Sequence, residues 1–260
     1  MTTSLRIAAA QFPVSGDIAR NSRYIRKHMI MAAKEGVQIV HFPETALPGY
    51  APKHLGALDN YAWEVLDCHL LSLREWAASL GLWVVLGPMR RIDEGLPRNC
   101  IYVISTTGEV EAVYDKRRLY GVEASYYSAG HTPCVVDING VQCSFLICYD
   151  NCFPELYDTY RGMGVELIFH AFCNAGNSRV TSIKELMQAD FIVRAADNRV
   201  WICAANSSER YSPLSACIFR PDGSMVRAKR HVSGLAIDTY PEAELGWTYD
   251  NRNVSAACKP

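Results

Sequence analysis

No stretch of this 260-residue chain reaches the roughly 18–20 consecutive apolar residues that a membrane-spanning helix needs. Charge of one sign is not in excess either: 26 lysines and arginines face 27 aspartates and glutamates, a formal net charge of −1. So balanced a chain carries no electrostatic footprint for nucleic acid or an anionic membrane. Cysteine is abundant, at 10 residues, yet no Cys-x-x-Cys occurs and the Cys148/Cys152 pair has no partner cluster, so the spacing of a structural zinc site is missing. Most cysteines sit in apolar runs such as Ser144-Phe-Leu-Ile-Cys148 and Trp201-Ile-Cys203. Free buried thiols in a reducing cytoplasm account for them better than a disulfide scaffold does. Internal repeats, low-complexity tracts and Gly/Ser linkers are absent too. Their absence predicts one domain over residues 1–260, with an irregular tail from about residue 240. Ala8-Ala9-Ala10 lies behind an apolar run too short for a secretory leader, and Leu5–Gln11 reads as a first strand.

What is present is the composition of a globular protein, 49% apolar and 20% charged. Asp17 caps a helix running to about Glu35, with Gly36 as its stop, and a second helix spans about Tyr61–Leu80 before Gly81. Apolar strands follow the periodicity at Val37–Phe42, Leu82–Leu86, Glu166–Phe172 and Val200–Ala205. Three hairpins are expected: Asn99–Ser105 with Val110–Lys116, Cys134–Ile138 with Val141–Cys148 around Asn139-Gly140, and Leu214–Phe219 with Met225–Lys229. Helices follow at Pro154 and over Ser182–Asn198, and Gly234–Thr239 closes the sheet. Strands that alternate with helices but include hairpins predict mixed sheets with helical cover. Runs such as Leu82-Trp-Val-Val-Leu86 need cover on both faces, which two stacked sheets with helices outside provide.

Three strand ends carry groups that together make a reaction centre. Cys148 ends an apolar strand just before a turn and a helix, where a side chain is displayed and backbone N–H groups are free. Glu44 follows the strand ending at Phe42, and Lys116 ends the strand beginning at Val110. Each alone reads as packing, capping or solvated surface. Together they supply what acyl transfer needs: a thiol, whose free pKa is about 8.5, a carboxylate to take and return its proton, and an ammonium to hold an oxyanion. None of the seven histidines lies in a signature that rivals Glu44 as the base.

These segments, in this order, resemble the nitrilase (carbon–nitrogen hydrolase) superfamily. The likeness rests on Pro43-Glu44-Thr-Ala-Leu-Pro-Gly49-Tyr50, on Tyr114-Asp-Lys116-Arg-Arg-Leu119, and on Leu146-Ile-Cys148-Tyr149-Asp150-Asn-Cys-Phe153-Pro154-Glu155. Ala9-Ala10-Gln11, Arg194-Ala-Ala-Asp-Asn198 and Ser215–Gly223 extend it over nearly the whole chain. The resemblance implies a four-layer αββα sandwich with two mixed β-sheets, commonly paired into a homodimer. It implies a catalytic Glu44–Lys116–Cys148 triad, an oxyanion hole completed by the backbone N–H of Tyr149, and no metal or organic cofactor. Glu123 matches a further active-site glutamate of many members, whereas Asp150 and Glu155 suit structural roles at the elbow and the helix start. Where many members carry an Asn-Trp segment, this chain has Phe172-Cys-Asn174-Ala-Gly-Asn177, so the pocket wall differs. Phe172, Asn174, Tyr50, Tyr120 and Tyr126 are the substrate-binding candidates. The expected activity is hydrolysis of a non-peptide C–N bond in a small amide, of amidase or carbamoylase type, in the cytoplasm. Nitrile hydrolysis by the same triad, acyl transfer to an amine, and a non-catalytic binding protein of the same fold are the alternatives.

Overall fold

The structure, a computed structural model, describes residues 4–173 and 183–241. Asn174 and the tail read from about residue 240 lie, respectively, outside and almost wholly outside the described residues.

The strands are β1 (Leu5–Phe12), β2 (Ile39–His41), β3 (Trp83–Leu86), β4 (Met89–Arg90), β5 (Arg98–Ile104), β6 (Val110–Asp115), β7 (Val135–Ile138), β8 (Val141–Ile147), β9 (Leu167–Ala171), β10 (Trp201–Ser207), β11 (Cys217–Phe219), β12 (Met225–Arg227) and β13 (Gly234–Tyr240). The α-helices are α1 (Ile18–Lys34), α2 (Trp63–Leu80), α3 (Pro154–Gly162) and α4 (Ile183–Asn198). Local chemistry sets several boundaries. The Asp17 side chain accepts the N–H of Arg20 at 2.9 Å and starts α1. Gly81, left-handed at φ 60°, stops α2. Asn139 and Gly140, at φ 53° and 85°, make the tight turn between β7 and β8 that the sequence signals.

One half of the sheet runs β6-β5-β3-β2-β1-β13, and the other runs β7-β8-β9-β10-β11-β12. They are joined by a short parallel ladder, Gln11 to Asn206 and Phe12 to Ser207, so the two expected sheets form one curled, mixed sheet among the described residues. The period-two alternation of a strand then builds the layers. On β1, Leu5, Ile7 and Ala9 pack towards the second half-sheet, and Ala8, Ala10 and Phe12 pack with Ile25, Met29, Leu66 and Leu73 of α1 and α2. On the far side, Leu156, Tyr157 and Tyr160 of α3 and Phe191 and Ala195 of α4 cover β8, β9 and β10. The order is helices, half-sheet, half-sheet, helices, the α/β fold the resemblance implies.

Two expectations shift. The second helix begins at Trp63, not Tyr61, and the last hairpin is shorter than its apolar pattern. Its first strand begins at Cys217 because side chains take the backbone groups before it. Ala216 N–H donates to Gln11 Oε1 at 2.8 Å, and Leu214 C=O accepts Asn206 Nδ2 at 2.7 Å. Residues 214–216 are thereby pinned to β1 and β10.

Strand direction decides where chemistry collects. β1, β2 and β3 are mutually parallel, β5 is antiparallel to β3, and β6 is antiparallel to β5. β6 therefore runs with β3. β8, β9 and β10 are parallel to one another, and β10 is parallel to β1. The C-terminal ends of β2, β6, β8 and β9 thus open on one edge of the molecule, the usual ligand edge of such sheets.

Candidate active site

Glu44, Lys116 and Cys148 follow the ends of β2, β6 and β8, and Phe172 and Cys173 follow β9. Close backbone approaches bring these ends together. A side chain at Gly87 would meet Pro43 O at 2.6 Å and Thr45 N at 2.7 Å, so only glycine lets the strand after β3 pass the Glu44 segment. A side chain at Gly130 would meet Asp115 O at 2.5 Å, and Gly130 N–H donates to Lys116 O at 2.7 Å. Cys148 itself sits at φ 45°, left-handed for a residue with a Cβ, and is half-buried. Such strain at a strand-to-helix turn marks a displayed nucleophile and needs support around it. Asp150 gives that support: its Oδ2 accepts Ile147 N–H at 2.9 Å and Tyr114 Oη–H at 2.7 Å, and its Oδ1 accepts Arg118 N–H at 2.9 Å. The elbow is thereby tied to the lysine segment, the structural role expected for Asp150. Glu155 meets Arg118 at the surface, 3.0 Å away.

Three charged side chains meet in the interior. Glu44 is 1% exposed, Lys116 1% and Glu123 0%. Lys116 Nζ lies 2.8 Å from Glu44 Oε1 and 2.7 Å from Glu123 Oε1. An ammonium has three donors; two are committed, and among the described residues the third has no partner and can meet an oxyanion. Glu44 also accepts Asn99 Nδ2–H on Oε1 at 2.7 Å and Cys173 N–H on Oε2 at 3.0 Å. Among the described residues three of the roughly four lone-pair sites of this carboxylate are used, which leaves one for a proton. Glu123 Oε2 accepts the Tyr120 N–H at 2.6 Å, and the Tyr50 side chain lies close enough to feel the charge of the same carboxylate.

The electrostatics follow from burial and neighbours. Burial raises the Glu44 pKa; Lys116 opposes the shift and Glu123 adds to it. Burial alone would lower the Lys116 pKa, but Glu44, Cys148 and Glu123 hold it well above the ordinary lysine value. Burial, then the Glu44 charge, push the Cys148 thiol well above its usual value, so the resting sulfur is a neutral thiol beside a base. A reaction that needs Glu44 ionised therefore fails earlier on acidification than ordinary glutamate chemistry. The acid limb of kcat/KM is expected above the reference glutamate value of about 4.3. A pH–rate profile checks this, and a limb at or below that value contradicts it.

The other candidates are placed less uniformly. Tyr50 lies near Glu44, Glu123 and Cys148 and is held by its own turn, where its N–H donates to His54 Nδ1 at 3.0 Å. Tyr149 packs edge-to-face on Tyr120 at 5.3 Å, and Tyr120 is 57% exposed, an aromatic rim beside Cys148. Tyr126 borders a surface cavity of about 450 Å³ with Trp63, Arg91 and Pro97. Phe172 meets the site through its carbonyl, which accepts Glu44 N–H at 3.1 Å, while in the core its ring stacks on His170 and meets Phe191 edge-on. Asn99, the Cys173 N–H and the two close-approach glycines escaped the sequence reading. Asn99 lies 55 residues from Glu44, and only the order β2-β3-β5 brings them together. Among the described residues no group of histidine, cysteine or carboxylate side chains has the arrangement of a metal site. Nor is any described helix long and apolar enough to cross a membrane.

Residues 6–243 match the protein family described as carbon-nitrogen hydrolase. The chain is 28% identical to hydrolase Rv0480c of Mycobacterium tuberculosis (strain ATCC 25618 / H37Rv) over 215 residues, 79% of this chain and 73% of that protein. It is 28% identical to the 2-oxoglutaramate amidase of Bacillus subtilis (strain 168) over 204 residues, 77% and 75% of the two. The solved structure of an amidase from Nesterenkonia sp. superposes with a TM-score of 0.81 at 25% identity, covering 98% of each chain.

Proposed function

This chain belongs to the carbon–nitrogen hydrolase family and is an amidase-like hydrolase, and from that premise we propose that it cleaves a small, non-peptide amide through a thioester on Cys148. The observation that carries the reading is the Lys116 ammonium, clamped by Glu44 at 2.8 Å and Glu123 at 2.7 Å with one donor left over, beside a thiol on a strained turn. Glu44 takes the Cys148 proton as sulfur attacks the carbonyl carbon. The oxyanion is held by the third Lys116 N–H and by the Tyr149 N–H. As the tetrahedral intermediate collapses, the C–N bond breaks and Glu44 returns its proton to the leaving ammonia or amine. Water then attacks the thioester, losing a proton to Glu44, and the acid leaves as the thiol is restored. Glu123 keeps Lys116 charged and fixed, and Tyr50 lies beside that carboxylate. Lys116 supplies the electrophile, so the mechanism calls for no metal and no organic cofactor.

Amides fit this site better than nitriles. A tetrahedral oxyanion uses both donors, whereas the planar thioimidate from a nitrile needs its nitrogen protonated instead. The nucleophile is followed by Tyr149-Asp150, closer to amidases and carbamoylases than to the Trp-Glu of many nitrilases. The names of the amidase relatives point the same way. For an amide and a nitrile with one shared side chain, kcat/KM is expected to favour the amide by at least about tenfold, or ~1.4 kcal/mol. Ammonia release under identical conditions measures it, and an equal or faster nitrile contradicts the assignment. Transfer of the acyl group to an added amine in preference to water would make the protein an acyltransferase. A homodimer and a cytoplasmic site of action complete the reading; Leu186 and Val193 on α4 are exposed apolar residues that a partner subunit would cover.

A further inference from the structure

We infer that His170 is a positioning residue of this reaction: it grips the carbonyl of Cys148 from behind and so aims the N–H of Tyr149 at the oxyanion. The inference rests on the reading of Cys148 as the nucleophile.

His170 lies on β9, in register with Leu146 of β8, and is fully buried. Its ring stacks on Phe172 at 4.4 Å and meets Phe191 edge-on at 5.3 Å, which fixes its plane. Both ring nitrogens are engaged. Nε2 is 3.3 Å from the Cys148 carbonyl oxygen, and Nδ1 is 2.9 Å from the Tyr157 hydroxyl. A carbonyl only accepts, so Nε2 carries the hydrogen. Burial holds the His170 pKa well below its ordinary value, so the ring is neutral and Nδ1 is an acceptor. The Tyr157 hydroxyl proton therefore goes to Nδ1, and the Asn151 side-chain amide, 2.8 Å from the same oxygen, meets it with its NH2 end, since the two ends of an amide are interchangeable in shape. Tyr157 thus selects the tautomer that can hold Cys148.

What this hold does follows from peptide geometry. The Cys148–Tyr149 peptide is planar, and in a trans unit its C=O and N–H point to opposite sides. Fixing the oxygen on the His170 side fixes the N–H on the other. A hydrogen bond to the carbonyl also polarises the amide and strengthens its N–H as a donor. The need is real because Cys148 sits at φ 45°, a conformation that relaxes unless its neighbours hold it. At the elbow the ring meets only the Cys148 carbonyl, so its effect on the reaction passes through that peptide.

The test compares His170→Met, which removes both hydrogen bonds at similar bulk, with His170→Gln, whose amide nitrogen can reach the Nε2 position. Three readouts separate aim from general integrity. The first is turnover of a small amide. The second is affinity for the matching aldehyde, to which the thiol adds across C=O, its proton ending on the new oxygen in the oxyanion site. The third is alkylation of Cys148 by iodoacetamide, which expels iodide and makes no oxyanion. His170→Met is expected to lower kcat about 10–100-fold, somewhat less than outright loss of an oxyanion donor, with KM within about threefold. Aldehyde affinity should fall by a similar factor, while alkylation stays within about threefold. His170→Gln should recover kcat to within about fivefold of the native protein. Should His170→Met not fold, Tyr157→Phe, which removes only the hydroxyl that sets the tautomer, must show the same selective loss in smaller degree. Unchanged kcat in these variants, equal losses in turnover and alkylation, or a glutamine variant no better than methionine overturns the inference. If the native protein forms no acyl adduct on Cys148, the reading of the nucleophile fails instead. A normal adduct with an unaffected His170→Met variant removes only the role of His170.

Discussion

Cys148→Ala is expected to lower amide turnover by at least about 10³-fold while leaving the fold and its stability close to native. Among the described residues the rival thiols are less well placed: Cys173 is buried and is tied to Glu44 through its backbone N–H, and Cys152 is exposed. The substitution keeps a Cβ, so the left-handed backbone at φ 45° is no more strained with alanine than with cysteine. The Asp150 bonds to Ile147, Tyr114 and Arg118 do not involve the thiol. Cys152→Ala is the control and should retain most of the activity. Steady-state assays with circular dichroism measure both. A Cys148→Ala enzyme with substantial activity, or iodoacetamide inactivation that labels Cys152 and spares Cys148, contradicts the assignment.

The second large effect falls on stability as well as rate. Lys116→Met leaves Glu44 and Glu123, 1% and 0% exposed, facing each other with no cation between them. Removing one partner of a buried ionic group costs about 3–5 kcal/mol. The sign of the pH dependence follows. In the variant two buried carboxylates face each other with no counter-charge, which opposes the fold while both are ionised and is relieved when one takes up a proton. The deficit should therefore be largest near pH 8 and shrink towards pH 5.5. In the native protein the raised Lys116 pKa contributes stability that is full at neutral pH and is lost only above the ordinary lysine value of about 10.4. Denaturant unfolding of both proteins at the two pH values measures the difference. A variant as stable as the native protein at pH 8, or a deficit that grows on acidification, contradicts the picture of a buried, charged cluster. Turnover should fall by at least the ~10²–10³-fold that loss of one oxyanion donor costs.

Much of this site was visible in the sequence because its chemistry is local in sequence. Glu44, Lys116 and Cys148 each end an apolar run, so strand patterning and residue type pointed to those three, whereas Glu123 came only from the family resemblance. The fold class was visible for the same reason: period-two runs, Asn139-Gly140 and the Asp17 cap are short-range signals. What stayed hidden depends on strand order and side-chain direction. Asn99 supports Glu44 only because β3 lies between β2 and β5. Gly87 and Gly130 matter only because another backbone passes within van der Waals reach. The ladder from Gln11 to Asn206 that joins the half-sheets pairs residues far apart in sequence and leaves no pattern in either strand. Phe172 carried an aromatic signal next to the site, yet its ring shares a strand face with His170 and stacks in the core.

The claim on which the rest depends is that carbon from the substrate becomes bonded to the sulfur of Cys148. Rapid acid quench of the native protein during turnover of a small amide, followed by intact and peptide mass analysis, tests it most directly. The account predicts one added acyl group, the substrate less its amine, on the peptide containing Cys148 and absent from Cys148→Ala. Turnover with no acyl group on any peptide, or with the acyl group on another residue, contradicts it.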